Sequence, residues 1–367
     1  MNLILKQHLQ TIRDTEFNLT AEELGLKITI AQNHNNLDLT LHANFPSFTL
    51  KTSLLPKLHA ALQQSLPQYN INLTIQHAIQ AHATQLPGKS LRGVKNIIAI
   101  ASGKGGVGKS TVAVNIATAL AKMGARVGLL DADIYGPSVP TMLGDVAPIL
   151  MQDNNYIPVS AHGILAMSMG YLTHDDSALI WRGPMLAKAL LQMLDITAWG
   201  NLDYLIIDLP PGTGDIQLSL VQKIPLAGAI IVTTPQNVAT LDAKKALDLL
   251  HKTNIYPLGV IENMAYHTCT QCGQQTTLFG SGGGQMLSTL ANCQLLGQLP
   301  LTNQIRQDSD IGQPTALSLD PTQAKPFLTA AIRAALALSI RPLSYADRFP
   351  QIVQKTGGHA SLCHPTF

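Results

Sequence analysis

The residues best suited to chemistry are Gly103, Lys104, Gly105, Gly106, Val107, Gly108, Lys109, Ser110 and Thr111, which fit the phosphate-loop pattern G-x-x-x-x-G-K-[ST] without a mismatch. Residues 96–101 form an apolar run just before them, as in a buried strand. Val112, Ile116, Ala119 and Leu120 follow at helical spacing, with Gly124 as the stop. In such a strand–loop–helix setting, glycines let successive N–H groups curl around phosphate oxygens, and the helix N-terminus adds partial positive charge. Lys109 is expected on the β- and γ-phosphates and the Ser110 hydroxyl on Mg²⁺. The motif implies binding of a nucleoside triphosphate.

Further polar residues stand at the ends of other apolar runs. Residues 126–130 lead into Asp131-Ala132-Asp133-Ile134-Tyr135-Gly136-Pro137-Ser138. Asp133 thus falls just past a strand's C-terminal end, where α/β sheets hold their ligands. It is placed to orient the attacking water or to order magnesium through water. Residues 204–207 lead into Asp208-Leu209-Pro210-Pro211-Gly212-Thr213-Gly214-Asp215. An apolar strand ending in aspartate is the Walker B arrangement, with Asp208 on magnesium. Gly212 and Gly214 permit a loop that moves with the γ-phosphate. Asn263, after the run 258–261, is expected at a strand's end and on the adenine edge. Arg306, beyond the run 294–300, would flank the base.

Cys269-Thr270-Gln271-Cys272-Gly273 is expected on a polar loop after the run 258–261. Thiolates spaced C-x-x-C can face one soft metal. Two ligands, however, complete neither a four-coordinate zinc nor a four-cysteine cluster. Either other residues contribute or two chains each give a pair. An iron–sulfur cluster, a structural zinc and two metal-free thiols all fit the spacing; a thioredoxin-like dithiol is disfavoured, because the motif opens no helix. Cys293 reads as a small core residue, and Cys363, between His359 and His364, as part of a solvated tail or, alternatively, as a helper in metal binding.

The string K-G-G-V-G-K-S, with its extra Lys104, resembles the deviant phosphate-loop ATPases that include MinD, ParA and the nitrogenase iron protein. Three further strings are similar to those of the Mrp/ApbC-type iron–sulfur carriers: D-A-D-I-Y-G-P-S, D-L-P-P-G-T-G-D, and N-M-x-x-x-x-C-x-x-C-G followed by F-G-x-G-G. Trp181-Arg182-Gly183-Pro184 also looks like that family. The resemblance implies a homodimer in which Lys104 touches the partner subunit's nucleotide and Asp133 lies in switch I. It implies ATP and Mg²⁺ as cofactors and slow hydrolysis. It also implies a [4Fe–4S] cluster bridging two subunits through Cys269 and Cys272, received from scaffold donors and passed to apoprotein recipients. The alternative is a MinD/ParA-like positioning or partition ATPase, for which the C-x-x-C has no purpose. A scaffold that binds nucleotide without turnover is disfavoured by the retained Lys104, Asp133 and Asp208.

Strands alternating with helices predict an α/β fold: a P-loop NTPase with a parallel sheet covered by helices on both faces, preceded by a small α+β N-terminal domain. Residues 1–85 are read as that domain, 86–95 as a linker, 96–340 as the ATPase and 341–367 as a tail. In the first unit, residues 26–30, 37–41 and 71–75 are expected strands, and Leu3, Leu5, Leu9 and Ile12, then 54–66, expected helices. Its order resembles a degenerate MIP18-type domain. Asp14-Thr15-Glu16 stands where that domain reads Asp-Pro-Glu, and the unit has no cysteine, which points to an accessory or docking role, or to a plain structural cap, rather than cluster chemistry. Residues 145–200 yield no role. Charged residues at 13% against 46% apolar argue for a folded chain. A net charge of +2 gives no reason to expect nucleic acid or an anionic membrane. No apolar run reaches a membrane span, residues 327–340 being broken by Arg333. Few cysteines without a disulfide framework fit a reducing cytoplasm.

Overall fold

The computed structural model describes residues 1–134, 136–144, 149–172, 183–269 and 271–344. Tyr135, Trp181, Arg182, Thr270, His359, Cys363 and His364 lie outside the described residues.

The N-terminal unit runs α1 (Asn2–Thr11), β1 (Lys27–Asn33), β2 (Asn36–Ala43), α2 (Leu50–Ser53), α3 (Leu55–Ser65) and β3 (Asn70–His77). Its sheet has the order β1-β2-β3, antiparallel then parallel. Leu37, Leu39 and Leu41 of β2 alternate inward and are fully buried. Asp14 is explained by its backbone partners: its carboxylate accepts N–H bonds from Glu16, Phe17 and Leu19 at 2.7–2.9 Å, so it shapes a turn.

The larger unit is built on β4 (Val94–Ser102). There follow α4 (Lys109–Lys122), β5 (Val127–Asp131), α5 (Val139–Leu143), β6 (Leu150–Gln152), β7 (Asn155–Ile157), β8 (Val159–Ala161) and β9 (Ile164–Ser168). After a 3₁₀ turn, Met169–Tyr171, come α6 (Gly183–Ile196), β10 (Leu202–Asp208), α7 (Asp215–Val221), β11 (Gly228–Thr233) and α8 (Asn237–Lys252). The chain closes with β12 (Pro257–Thr268), β13 (Gln275–Thr276), α9 (Gly283–Leu290), β14 (Gln294–Pro300), α10 (Asn303–Asp310) and α11 (Pro321–Ser339). Among the described residues the sheet order is β13-β12-β11-β4-β10-β5-β9-β8, with β14 also on β12, and only β8 and β13 are antiparallel. Ile98 and Ile100 of β4 face one apolar layer with α4 and α11, while Ile97, Ala99 and Ala101 face the other with α6 to α9. Burial on both faces explains why these strands read as continuous apolar runs. No helix of the described residues is long and apolar enough to cross a membrane.

Three expectations change. Strand β4 begins at Val94, inside the stretch read as linker, and what precedes it is pinned. The Gln85 amide donates to the Val221 and Ile224 carbonyls at 2.9 and 2.7 Å, and accepts from Leu226 N. Residues 145–200, which gave no clear pattern, hold four short strands, of which β9 extends the central sheet beside β5. Strand β12 does not stop at residue 261 but continues to Thr268.

Candidate functional site

The phosphate loop joins β4 to α4 as its pattern requires. Gly106 and Gly108 take φ of 77° and 80°, a region that favours glycine. A Cβ on Gly108 would also strike the Asn263 amide, so only glycine fits there. Lys109 is the first residue of α4 and is buried; its Nζ lies 2.6 Å from Asp208 Oδ1 and 3.5 Å from Ser110 Oγ. Lys104 sits half-buried on the same loop, with no salt-bridge partner among the described residues.

Three adjacent strands bring polar residues together at their C-terminal ends. Asp208 of β10 stands in register with Asp131 of β5, and Asp131 with Ser168 of β9. Asp131 was not singled out from the sequence, although the D-A-D string and its place at a strand's end were a signal. Its carboxylate accepts from Asp133 N at 3.1 Å, Val139 N at 3.3 Å and Ser168 Oγ at 3.0 Å. Burial and the neighbouring Asp208 charge push its carboxyl well above the usual range. Burial likewise raises Asp208, against the opposing pull of Lys109 and Ser110. Asp133 is half-buried in the segment that Asp131 holds through its backbone.

Mg²⁺ can be tested against these residues. Asp208 Oδ2 is fully buried and has no hydrogen-bond partner among the described residues. A buried carboxylate oxygen left unpaired calls for a ligand or water. With the Ser110 hydroxyl close by, the donor set is hard oxygen, as Mg²⁺ prefers.

Asn263 is buried inside β12 rather than at a strand's end, and its Nδ2 donates to the Val107 carbonyl at 2.9 Å. Strand β12 outlasts the apolar run because β14 and β13 give its polar residues ladder partners. Arg306, on α10, is exposed and pairs with Asp310 at 2.5 Å.

The cysteine pair lies, as expected, on the loop that leaves β12, which returns through β13 as a hairpin. Cys269 N donates to Gln274 O and Gly273 N to Cys269 O, both at 2.9 Å. The backbone N–H groups of Cys272 and Gln271, then the Cys272 thiol, hold the Cys269 thiol below its ordinary range. A turn whose amides point at one sulfur favours thiolate and suits a soft metal. Among the described residues no group of three or more His, Cys, Asp or Glu could hold a metal. Cys293 takes no part: it packs against the second apolar layer, and burial pushes its thiol up to about 11.

The model of the ParA family described as NUBPL iron-transfer P-loop NTPase matches residues 93–335. The chain belongs to this family. It is 54% identical over 248 residues to the iron-sulfur cluster carrier protein of Pseudomonas fragi, covering 67% of this chain and 84% of that one. It is 42% identical over 347 residues to the protein of the same name from Deinococcus radiodurans, covering 94% and 97%. The latter match takes in the N-terminal unit as well as the family's own span. Among solved structures, the nucleotide-binding protein of Archaeoglobus fulgidus in complex with ADP superposes with a TM-score of 0.56 at 37% identity, over 63% of this chain and 91% of that one. Within the family's span lie the phosphate loop, Asp131, Asp133, Asp208, Asn263, Arg306 and both cysteines of the hairpin.

Proposed function

We propose that this protein binds ATP with Mg²⁺, hydrolyses it slowly, and carries a [4Fe–4S] cluster between two copies of the chain for delivery to apoproteins. The observation that carries the reading is the cysteine hairpin. It offers two neighbouring cysteines, the Cys269 sulfur held by backbone amides, and, among the described residues, no third ligand beside them. A site with half the ligands of a four-cysteine cluster is completed by its equal on a second copy. The relatives' name, iron-sulfur cluster carrier protein, supports the same cargo. It does not favour a positioning or partition role, which leaves the hairpin without a purpose.

In this reading Lys109 exchanges its ion pair with Asp208 for the phosphate oxygens, and the Asp208 carboxylate and Ser110 hydroxyl are the groups that would hold Mg²⁺. The metal offsets the charge of the β- and γ-phosphates. Residues 103–111 cradle the phosphates, Asp133 orients the attacking water, and Lys104 reaches the partner subunit's nucleotide. Asn263 and Arg306 flank the base. The first 85 residues act as an accessory docking unit.

The test is anaerobic reconstitution with iron and sulfide, followed by metal and sulfide counting and native mass. About four irons and four sulfides per two chains, lost in Cys272→Ala with ATP binding intact, is the expected outcome. One zinc per dimer, or delivery of clusters by Cys269→Ala, would sink the carrier reading.

A further inference from the structure

The β8–β9 edge of the sheet falls in the stretch whose sequence suggested no role, yet it touches the segment 131–143 at both ends. Ser168, the last residue of β9, is completely buried. Its hydroxyl donates to Asp131 Oδ2 at 3.0 Å and accepts from Gly170 N at 3.0 Å. The single hydroxyl proton is therefore committed to the carboxylate, and a lone pair to the 3₁₀ turn that follows. The same Asp131 oxygen accepts from Val139 N, the first residue of α5. Gly170 lies beneath the two prolines of the segment: a Cβ there would come 3.1 Å from Pro140 Cγ and 3.3 Å from Pro137 Cβ. At the far end of α5, His162, on the β8–β9 turn, has its Nε2 3.1 Å from Leu143 O and 2.8 Å from Gly312 O.

We propose that Ser168 and Gly170 form the seat of switch I, and that Ser168 is a positioning residue for nucleotide turnover. Ser168 touches neither nucleotide nor metal. It fixes the Asp131 carboxylate, which holds the backbone at Asp133 and Val139, and so sets where Asp133 stands beside Asp208. A buried carboxylate in register with Asp208 turns readily if one of its three donors is lost. Gly170 does the complementary task by contact, since its missing side chain lets Pro137 and Pro140 settle against the turn. Loss of either element should leave the phosphate loop intact, because Lys109, Ser110 and Asn263 have no bond to the seat.

This inference rests on the ATPase reading, and the test keeps the two apart. Ser168→Ala, Ser168→Thr and Gly170→Ala are compared with the full-length parent for ATP turnover, for ADP and ATP affinity, and for hydrogen exchange of residues 131–143. Removing a hydrogen bond to a buried carboxyl group predicts about tenfold lower kcat in Ser168→Ala, with KM and nucleotide affinity within about twofold. The Val139 amide of the nucleotide-free protein should exchange about tenfold faster, since one of its acceptor's anchors is gone. Ser168→Thr, which keeps the hydroxyl, restores both values, and Gly170→Ala reproduces the Ser168→Ala pattern with the hydroxyl in place. Unchanged exchange and kcat in Ser168→Ala overturns the proposal, as does an equal loss of affinity and kcat with exchange unaltered. A parent protein that hydrolyses no ATP, but whose Ser168→Ala variant exchanges faster at Val139, supports the seat and overturns the ATPase reading instead.

Discussion

The pairing of Lys109 with Asp208 places the two strongest charges of the phosphate loop and the Walker B strand against each other in a buried site. A buried ion pair gains little over an apolar pair, but breaking it by removing one partner is costly. Lys109→Met should therefore do more than abolish nucleotide turnover. It leaves Asp208, whose carboxyl burial already raises, with its main compensating charge gone. A carboxylate raised in the folded state binds its proton there while the unfolded chain has released it, so its cost grows with pH above about 4. The expected loss is about 3–5 kcal/mol near pH 8, and distinctly less at pH 5, where the unfolded carboxylate begins to be protonated too. Urea unfolding of Lys109→Met and the parent at both pH values checks this. An equal deficit at pH 5 and pH 8 would mean that Asp208 does not become the uncompensated group.

At the scale of elements, β12 joins the two chemical ends of the molecule. Glu262 accepts from Gly284 N at 2.8 Å and Gln298 Nε2 at 2.6 Å, while its neighbour Asn263 holds the phosphate loop at Val107. Met264 then takes φ of 55° and the register shifts before Tyr266, so the strand bends between its anchored half and the half that ends at Cys269. A nucleotide that draws on Asn263 would pull on the hairpin through this bend. We expect ADP with Mg²⁺ to change the alkylation rate of the hairpin thiols about fivefold, at the low end of ordinary coupling, and Asn263→Ala to reduce that response below about twofold. Mass-resolved alkylation with and without nucleotide decides it, and the same response in both proteins would move the coupling elsewhere. The halves of β12 also show what was legible. Residues 258–261 read as a strand because both faces are buried, and the phosphate loop and Walker B strand were plain for the same reason or by motif. The continuation to Thr268 was hidden, because Tyr266, His267 and Thr268 owe their ladder partners to distant β14 and β13. Strands β6 to β8 were hidden by their brevity, three residues each. Ser168 and Asp131 became a pair only once β9 and β5 were side by side, and no local spacing announces that.

For the whole molecule, the question is whether the N-terminal unit is a tethered module or part of the ATPase body. Its own sheet suggests a module, but its interior does not end at its border. One apolar cluster runs from Leu37, Leu54 and Leu62 into Val112, Ile116 and Leu120 of α4 and on to Phe327 and Ile332 of α11. The contact is also polar: Phe48 N donates at 3.0 Å to the carbonyl of Met123, the residue that ends α4. Helix termini leave carbonyls without intrahelical partners, and here the N-terminal unit supplies the donor. The phosphate-loop helix thus starts at the nucleotide site and ends, about 21 Å away by helical rise, on the N-terminal unit. Gly124 makes this approach practicable, with φ of 99° and little room for a side chain, since a Cβ would lie 3.2 Å from Phe48 Cβ and 3.4 Å from His77 Cε1. Two bodies joined by a linker would melt in two steps, whereas a shared core melts in one. We therefore expect a single calorimetric transition for the full chain. Gly124→Ala should lower its midpoint, at a cost of about 1–2 kcal/mol from left-handed strain and crowding, without splitting it. A separate early transition in the parent would show that the apolar cluster does not act as one. The N-terminal unit would then be free to move while α4 stays folded.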